Sequence, residues 1–400
     1  MRNWLLPEFI EDVLPNDAAR IESLRRQLLD LFKVHGYQYV IPPTLEYMES
    51  LITGTGHDLD LATFKVVDQL TGRLMGIRAD MTPQAARIDA HILNQQGVSR
   101  LCYAGTVLRT KPDGLARTRE PLQLGAELFG HAGIESDIEI QNLMIAALQL
   151  LGLSELHIDF SHVGIFEALV QAGNINASLE QALYAALQSK DKALVANLAA
   201  DLPTETKVAL VNLTSLNGDA SILDVAEKSL PKLPAIKKAL ADLRAVAAKI
   251  GTTNLDKPSL DKPSLDKPSV HVSFDLCELR GYNYHSGIVF AAYAKGYAGP
   301  IALGGRYDEV GVAFGRARPA TGFSLDLRGA VTSLPPASLP KAILAPASND
   351  VALQASIDEL RGQGEVLIQL LMNESSSPAE LGCDRELRKQ GNAWVVSKIN

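Results

Sequence analysis

From Val163 to about Gly251 alanine and leucine dominate, helix caps recur and β signal nearly vanishes, while strand-like runs stand on both sides. This bracketed block constrains the fold most. A sheet-bearing body has to be assembled from two stretches far apart in sequence, with an all-helical insertion between them. Within the block, Ser178 followed by Gln181 resembles a capping box. The insertion ends in a literal repeat, LDKPS three times over Leu255–Ser269. Its spaced prolines and alternating charges read as an exposed linker or hairpin tip.

Ahead of the block, Asn16–Gly36 reads as a helix, with Asn16 as N-cap and Ile21, Leu24, Leu28 and Leu31 at helical spacing. Gly36–Tyr47 is β-rich, and Pro42 and Pro43 place it at a sheet edge or strand end. Phe64–Arg78 reads as a hairpin turning at Thr71-Gly72, and Pro83–Gln95 as a helix. Arg100–Arg109 and Glu120–Gly130 read as strands around the polar loop Thr110–Arg119. An amphipathic helix follows at Asp137–Leu151, then a half-buried strand at Leu156–Phe160. Beyond the block, strands return at His271–Glu278, Gly287–Tyr293 and Gly322–Leu327. The segment LPPASLP, Leu334–Pro340, marks the clearest boundary before a short tail of β-α-β character.

The chain's 400 residues suffice for two or three domains. Its net charge of -8 disfavours a nucleic-acid coat, which would be basic. Cys102, Cys277 and Cys383 are far apart and form no CxxC pair, so buried reduced thiols are expected rather than a disulfide framework. The opening residues turn acidic and meet Pro7 and Pro15 too early for a signal peptide, and no apolar run reaches the ~20 residues of a membrane span. A soluble cytoplasmic protein is expected.

Three concentrations of polar residues stand out. In QLGAELFG, Gln123, Gly125 and Glu127 share one strand face while Leu124, Ala126 and Leu128 share the other. Such a strand either shows its polar face to solvent or presents Gln and Glu to a cavity. The loop before it carries Arg109, Arg117 and Arg119, whose planar donor forks suit carboxylate or phosphate. The segment LRGYNYHSGIVF sets Arg280, Tyr282, Tyr284 and His285 close together, and GGRYDEV places paired glycines before Arg306. In RADMT, Asp80 and Thr82 stand where a hairpin turns into a helix, as helix caps or as ligand groups. No Ser-His-Asp, HExxH or P-loop pattern occurs. His157, Asp159 and His162 lie close in sequence, but no fourth metal ligand is evident, so no metal is expected.

Taken together and in order, these segments resemble the catalytic domain of the histidyl-tRNA synthetase family. YVIPPTLEY resembles its motif 1 strand, RADMT its RPEGT, and LCYAGTVLRTKPDGLARTREPLQLGAELFG its motif 2 without a gap. ELRGYNYHSGIVF and GGRYDEV resemble the histidine-specific RGLDYY and GGRYD signatures. The resemblance covers about residues 5–330. It implies an α+β fold, a class II synthetase-like antiparallel sheet flanked by helices. The body is then 1–162 with 270–333, the helical insertion 163–269, and a small truncated α/β C-terminal tail 334–400. It also implies a histidine pocket: Asp80, Thr82 and Gln123 meet the ammonium, and Arg109, Gln123 and Arg280 line the carboxylate side. Glu127 and His285 (a Tyr in the family) address the imidazole, and Tyr284 lines the cavity.

The departures are equally informative. Lys111 stands where motif 2 has Glu, and GFSLDLRGA puts Gly329 where motif 3 has the Arg that grips ATP phosphates. Arg328 comes one position early, and on a helix that slip turns a side chain by roughly 100°. Asp326 adds negative charge beside a triphosphate, and the tail is too short for a complete anticodon-binding domain. This combination resembles the regulatory branch of the family, the paralogues that partner short-form ATP phosphoribosyltransferase in the first step of histidine biosynthesis. The resemblance implies a non-catalytic subunit without cofactor or tRNA, built on a homodimer within a hetero-oligomer. It would activate the catalytic subunit and take free L-histidine as feedback effector. An active histidyl-tRNA synthetase and a stand-alone histidine-binding protein are the alternatives.

Overall fold

The computed structural model describes residues 4–52, 57–112, 118–250, 269–335 and 340–399. It contains two compact units, Met1–Leu334 and Pro335–Asn400. The first is built on a nine-stranded sheet. In spatial order its strands are Gln38–Tyr39, Ser99–Thr106, Leu122–Phe129, Ala320–Asp326, Ala302–Arg306, Ile288–Ala294, Glu155–His162, Ser269–Asp275 and Asn217–Gly218. Neighbours run antiparallel except Gln38–Tyr39 beside Ser99–Thr106 and Glu155–His162 beside Ser269–Asp275. The strand beginning at Gln38 is two residues long and lies at the sheet edge, as the prolines after it require.

Side-chain parity decides which face is packed. Leu124, Ala126 and Leu128, with Phe323, Leu325, Phe290, Ile158 and Phe160, join one large apolar core. Leu28 and Phe32 of the helix Pro15–Val34 and Leu143, Met144 and Ala147 of the helix Ile134–Leu150 close it. The opposite parity, Leu101, Tyr103 and Phe129, packs in a smaller cluster with Met81, Ala85 and Tyr307 beneath the short helix Thr82–Arg87. The other face of the sheet is thus roofed at one end and holds a cavity beside that roof.

The helical block is present as Val163–Ala172, Ala177–Gln188, Lys192–Leu198, Thr204–Leu213, Ile222–Ser229 and Pro234–Ile250. Two features were not foreseen. Asn217–Gly218 lends a short strand to the main sheet. Leu183, Leu187, Leu210 and Leu243 from the block join the same core as the sheet, so the block is fused to the body by burial. The LDKPS repeat lies outside the described residues apart from Ser269, which opens a strand. Two helix starts also differ from expectation. The first helix begins at Pro15, where a missing N–H costs nothing, and Asn16 falls inside its first turn. The cap of Ala177–Gln188 is Asn176, whose side chain accepts from Leu179 N at 3.0 Å, rather than Ser178.

The second unit carries the strands Ala342–Ala345, Leu367–Gln369, Cys383–Gln390 and Ala393–Lys398, with the helix Val351–Gly362 against one face. Asp350 caps that helix through Ala352 N at 2.9 Å and also meets Lys389 Nζ at 2.8 Å. All three cysteines are free and buried.

Candidate functional site

Glu127 sits mid-strand with 1% of its surface exposed. Its alternation with Leu128 sends it away from the main core, and the glycine opposite makes room for it. Gly322 is its register partner, and a Cβ there would land on the Glu127 carboxylate. Two hydroxyls hold that carboxylate: Tyr103 donates to Oε1 at 2.8 Å and Tyr307 donates to Oε2. Burial pushes the Glu127 carboxyl up to about 8, against the pull of the two tyrosines, so it keeps its proton at neutral pH. Gly322→Ala is expected to displace the carboxyl from both tyrosines and cost about 1–3 kcal/mol, read from urea unfolding; an unchanged midpoint would contradict this packing.

The same network reaches the mouth of the site. Thr82 Oγ1 lies 2.9 Å from the Tyr103 hydroxyl. Asp80 Oδ1 accepts from Thr82 N at 2.9 Å and from Gln123 Nε2 at 2.7 Å, while Gln123 Oε1 accepts from Met81 N at 2.9 Å. Asp80 therefore caps the turn into the helix and orients Gln123 at once. Tyr284 stacks on Tyr307 with ring centroids 5.1 Å apart, and its buried hydroxyl makes no hydrogen bond. That unsatisfied O–H is a ready donor for a ligand.

A cavity of about 520 Å³ opens beside this network. Asp80 and Tyr284 line it together with the cations Arg109, Lys111 and Arg280. One acidic and three basic groups around an apolar-walled hollow suit a zwitterion whose carboxylate lies on the basic side. The expected residues do not all share it. Gln123 lines an adjoining hollow with Arg109, while His285 lines a separate one of about 120 Å³ with Arg280. Burial holds His285 down to about 4, so its ring is neutral. Its Nδ1 donates to Gly281 O at 3.2 Å, since a carbonyl only accepts, and Nε2 is left as an acceptor. Arg280 is anchored by Glu278, which accepts from its backbone N at 2.9 Å.

Sequence reading missed Tyr103 and Tyr307. Tyr103 shares parity with Leu101 and faces Gly125 across the strand pair, a large residue opposite a glycine that could have drawn notice. Tyr307 stood inside GGRYDEV but was overshadowed by Arg306. That arginine is no ligand group: it is buried against Asp137, at 2.7 Å from Oδ2. Arg328, the displaced motif 3 arginine, is equally committed. Its Nη2 donates to Glu11 O at 2.6 Å and its Nη1 lies 3.4 Å from Glu120 Oε2. Asp326 caps the helix Leu327–Thr332 by accepting from Arg328 N at 3.1 Å. Of the residues once weighed as metal ligands, His157 and Asp159 bond each other and Ser273, whereas His162 lies on the core side and accepts from Gly164 N.

The family model for histidyl-tRNA synthetase matches residues 9–330, and that for the ATP phosphoribosyltransferase subunit HisZ C-terminal domain matches residues 340–397. The chain is 65% identical over 396 residues to the ATP phosphoribosyltransferase regulatory subunit of Methylobacillus flagellatus, covering 99% of this chain and 98% of that one. It is 28% identical to a crystal structure from Bacillus halodurans described as an ATP phosphoribosyltransferase regulatory subunit/histidyl-tRNA synthetase, with a TM-score of 0.79 over 94% of this chain and 95% of that one. A histidyl-tRNA synthetase from Nostoc sp. shares the fold, with a TM-score of 0.75 at 17% identity over 96% of this chain and 91% of that one. The pocket geometry, the committed Arg328 and the two matched segments converge: the chain belongs to the ATP phosphoribosyltransferase regulatory subunit family, on a histidyl-tRNA synthetase-like fold.

Proposed function

We propose that this chain is the non-catalytic regulatory subunit of a short-form ATP phosphoribosyltransferase in the cytoplasm, activating the catalytic subunit and carrying feedback inhibition by free L-histidine. One contrast carries the reading. The amino-acid pocket is assembled around Glu127, Asp80 and the cations of its mouth, while Arg328 is tied to Glu11 and Glu120. Asp80, Thr82 and Gln123 take the ammonium, and Arg109 and Arg280 take the carboxylate. Glu127 and His285 address the imidazole beside Tyr284. A protonated Glu127 can donate to one nitrogen of a neutral imidazole, and His285 Nε2, an acceptor in the separate hollow beside Arg280, is the partner proposed for the other.

A homodimer fits the surface of the three-stranded sheet Leu45–Tyr47, Phe64–Val67 and Leu74–Ile77. Its strands carry Leu45, Val67 and Leu74, which stand 42%, 58% and 46% exposed, apolar area that a second copy would cover.

The deciding experiment assays a short-form ATP phosphoribosyltransferase catalytic subunit with and without this chain, titrated with histidine. Activity should rise when the chain is added, and histidine should suppress it only in its presence. No stimulation would overturn the proposal. Histidine-dependent pyrophosphate exchange by the purified chain would establish the synthetase alternative instead.

A further inference from the structure

The loop that carries Arg280, Tyr284 and His285 is held from outside the sheet. Its turn is closed by Tyr284 N and His285 N, both 2.8 Å from Gly281 O. Gly281 has φ +67°, and a Cβ there would strike the His285 ring. What fixes this turn over the cavity is Tyr282, which points into the helical block. Its hydroxyl donates to Glu180 Oε1 at 2.8 Å, its ring stacks on Tyr184 at 5.7 Å and meets Phe166 edge-on at 5.1 Å. Glu180 and Tyr184 lie one helical turn apart on Ala177–Gln188, and Tyr184 also lines the 520 Å³ cavity. The half-buried Glu167 faces Glu180, and its carboxyl is raised by burial and by that neighbouring charge.

We propose that Glu180 and Tyr184 of the helical block, clasping Tyr282, are positioning residues of the ligand pocket: they set Arg280 and Tyr284 in place and tie occupancy to the helix Ala177–Gln188. Tyr184 gives the block a wall of the cavity, and Glu180 gives it a grip on the loop. This rests on the histidine reading of the pocket and extends it to the segment that senses the ligand. Arg280 and Tyr284 stand two residues either side of Tyr282. A loop released from its clasp would therefore lose both groups together, and a ligand that orders the loop would stiffen the helix.

The test uses the full chain, with Tyr282→Phe, Glu180→Ala and the double variant. Tyr282→Phe keeps the ring and removes only the hydroxyl. In the ligand-free chain, hydrogen exchange over residues 279–285 should speed up several-fold in Tyr282→Phe; unchanged exchange overturns the clasp whatever the ligand. In calorimetric titration with L-histidine, each single variant should bind about 10-fold more weakly than the parent, and the double variant no more weakly than either single. Losses that multiply, or an unchanged affinity, would overturn the positioning role. Histidine should also slow exchange in 177–188 in the parent but not in Tyr282→Phe, a response that a merely structural bond would not link to ligand. A parent chain that binds no histidine, yet shows the exchange effect in the free loop, refutes the pocket reading while leaving the clasp standing.

Discussion

Replacing Glu127 with glutamine is expected to weaken histidine binding by at least about 10-fold and to make the chain relatively more stable as pH rises. The binding loss follows from the chemistry. Glutamine fills the same space, but only one of its two terminal atoms accepts, so it cannot serve both tyrosine hydroxyls and still aim a donor at the ligand, and a buried polar group left unpaired costs about 1–3 kcal/mol. The stability effect has a definite sign. The carboxyl of the folded chain sits at about 8, above its ordinary 4.5, because burial disfavours the charge. Between those values the folded chain holds a proton that the unfolded chain releases. The stabilisation this gives is complete below about 4.5 and is lost as pH climbs toward 8. Glutamine does not titrate, so urea midpoints of parent and variant, measured from pH 5 to pH 8, should diverge in the variant's favour at the alkaline end. Curves that stay parallel, with histidine affinity unchanged in calorimetry, would remove Glu127 from the pocket.

Glu127 also illustrates what a single sequence discloses. The alternation in QLGAELFG placed Gln123 and Glu127 on one face because strand parity is a local property, and the structure buries both on that face. Whether the face met solvent or a cavity depended on strands joined only in space. Tyr103 and Tyr307 reach the same carboxylate from positions 24 and 180 residues away. No periodicity records such meetings. The helical block was legible from composition, yet its fusion to the sheet core and the clasp of Glu180 on Tyr282, 102 residues apart, were not. The cap positions failed for a different reason. Asn176 and Ser178 are both competent caps, and the choice depends on how the preceding turn docks, which propensity does not encode. Arg328 shows the converse case. Its one-residue displacement was readable, but its new partner, the Glu11 carbonyl, came from the far end of the chain.

Arg306→Ala is expected to be strongly destabilising, at about 3–5 kcal/mol, because it strips a buried carboxylate of its counter-charge. The guanidinium is 9% exposed and Asp137 only 3%. Nε and Nη2 both donate to Asp137 Oδ2, at 3.1 and 2.7 Å, and the remaining N–H groups reach His131 O at 3.3 Å, Gly133 O at 3.2 Å and Ser136 Oγ at 2.9 Å. These acceptors gather at the start of the helix Ile134–Leu150, whose N-cap Gly133 has no side chain to offer. Arg306 thus pins the helix start to the sheet through donors that nothing else replaces. Burial already raises the Asp137 carboxyl despite the arginine, and without that charge it rises further. The variant then takes up a proton on Asp137 in acid, so its deficit should shrink toward pH 5 and widen toward pH 8. Thermal midpoints should fall on the order of 5 °C near neutrality. The double variant Arg306→Met, Asp137→Leu should recover part of the loss, since it removes the unpaired buried carboxylate, while the His131 and Gly133 carbonyls still lose their donor. A deficit below about 1 kcal/mol, or one equal at both pH values, would show that the pair is solvated rather than buried.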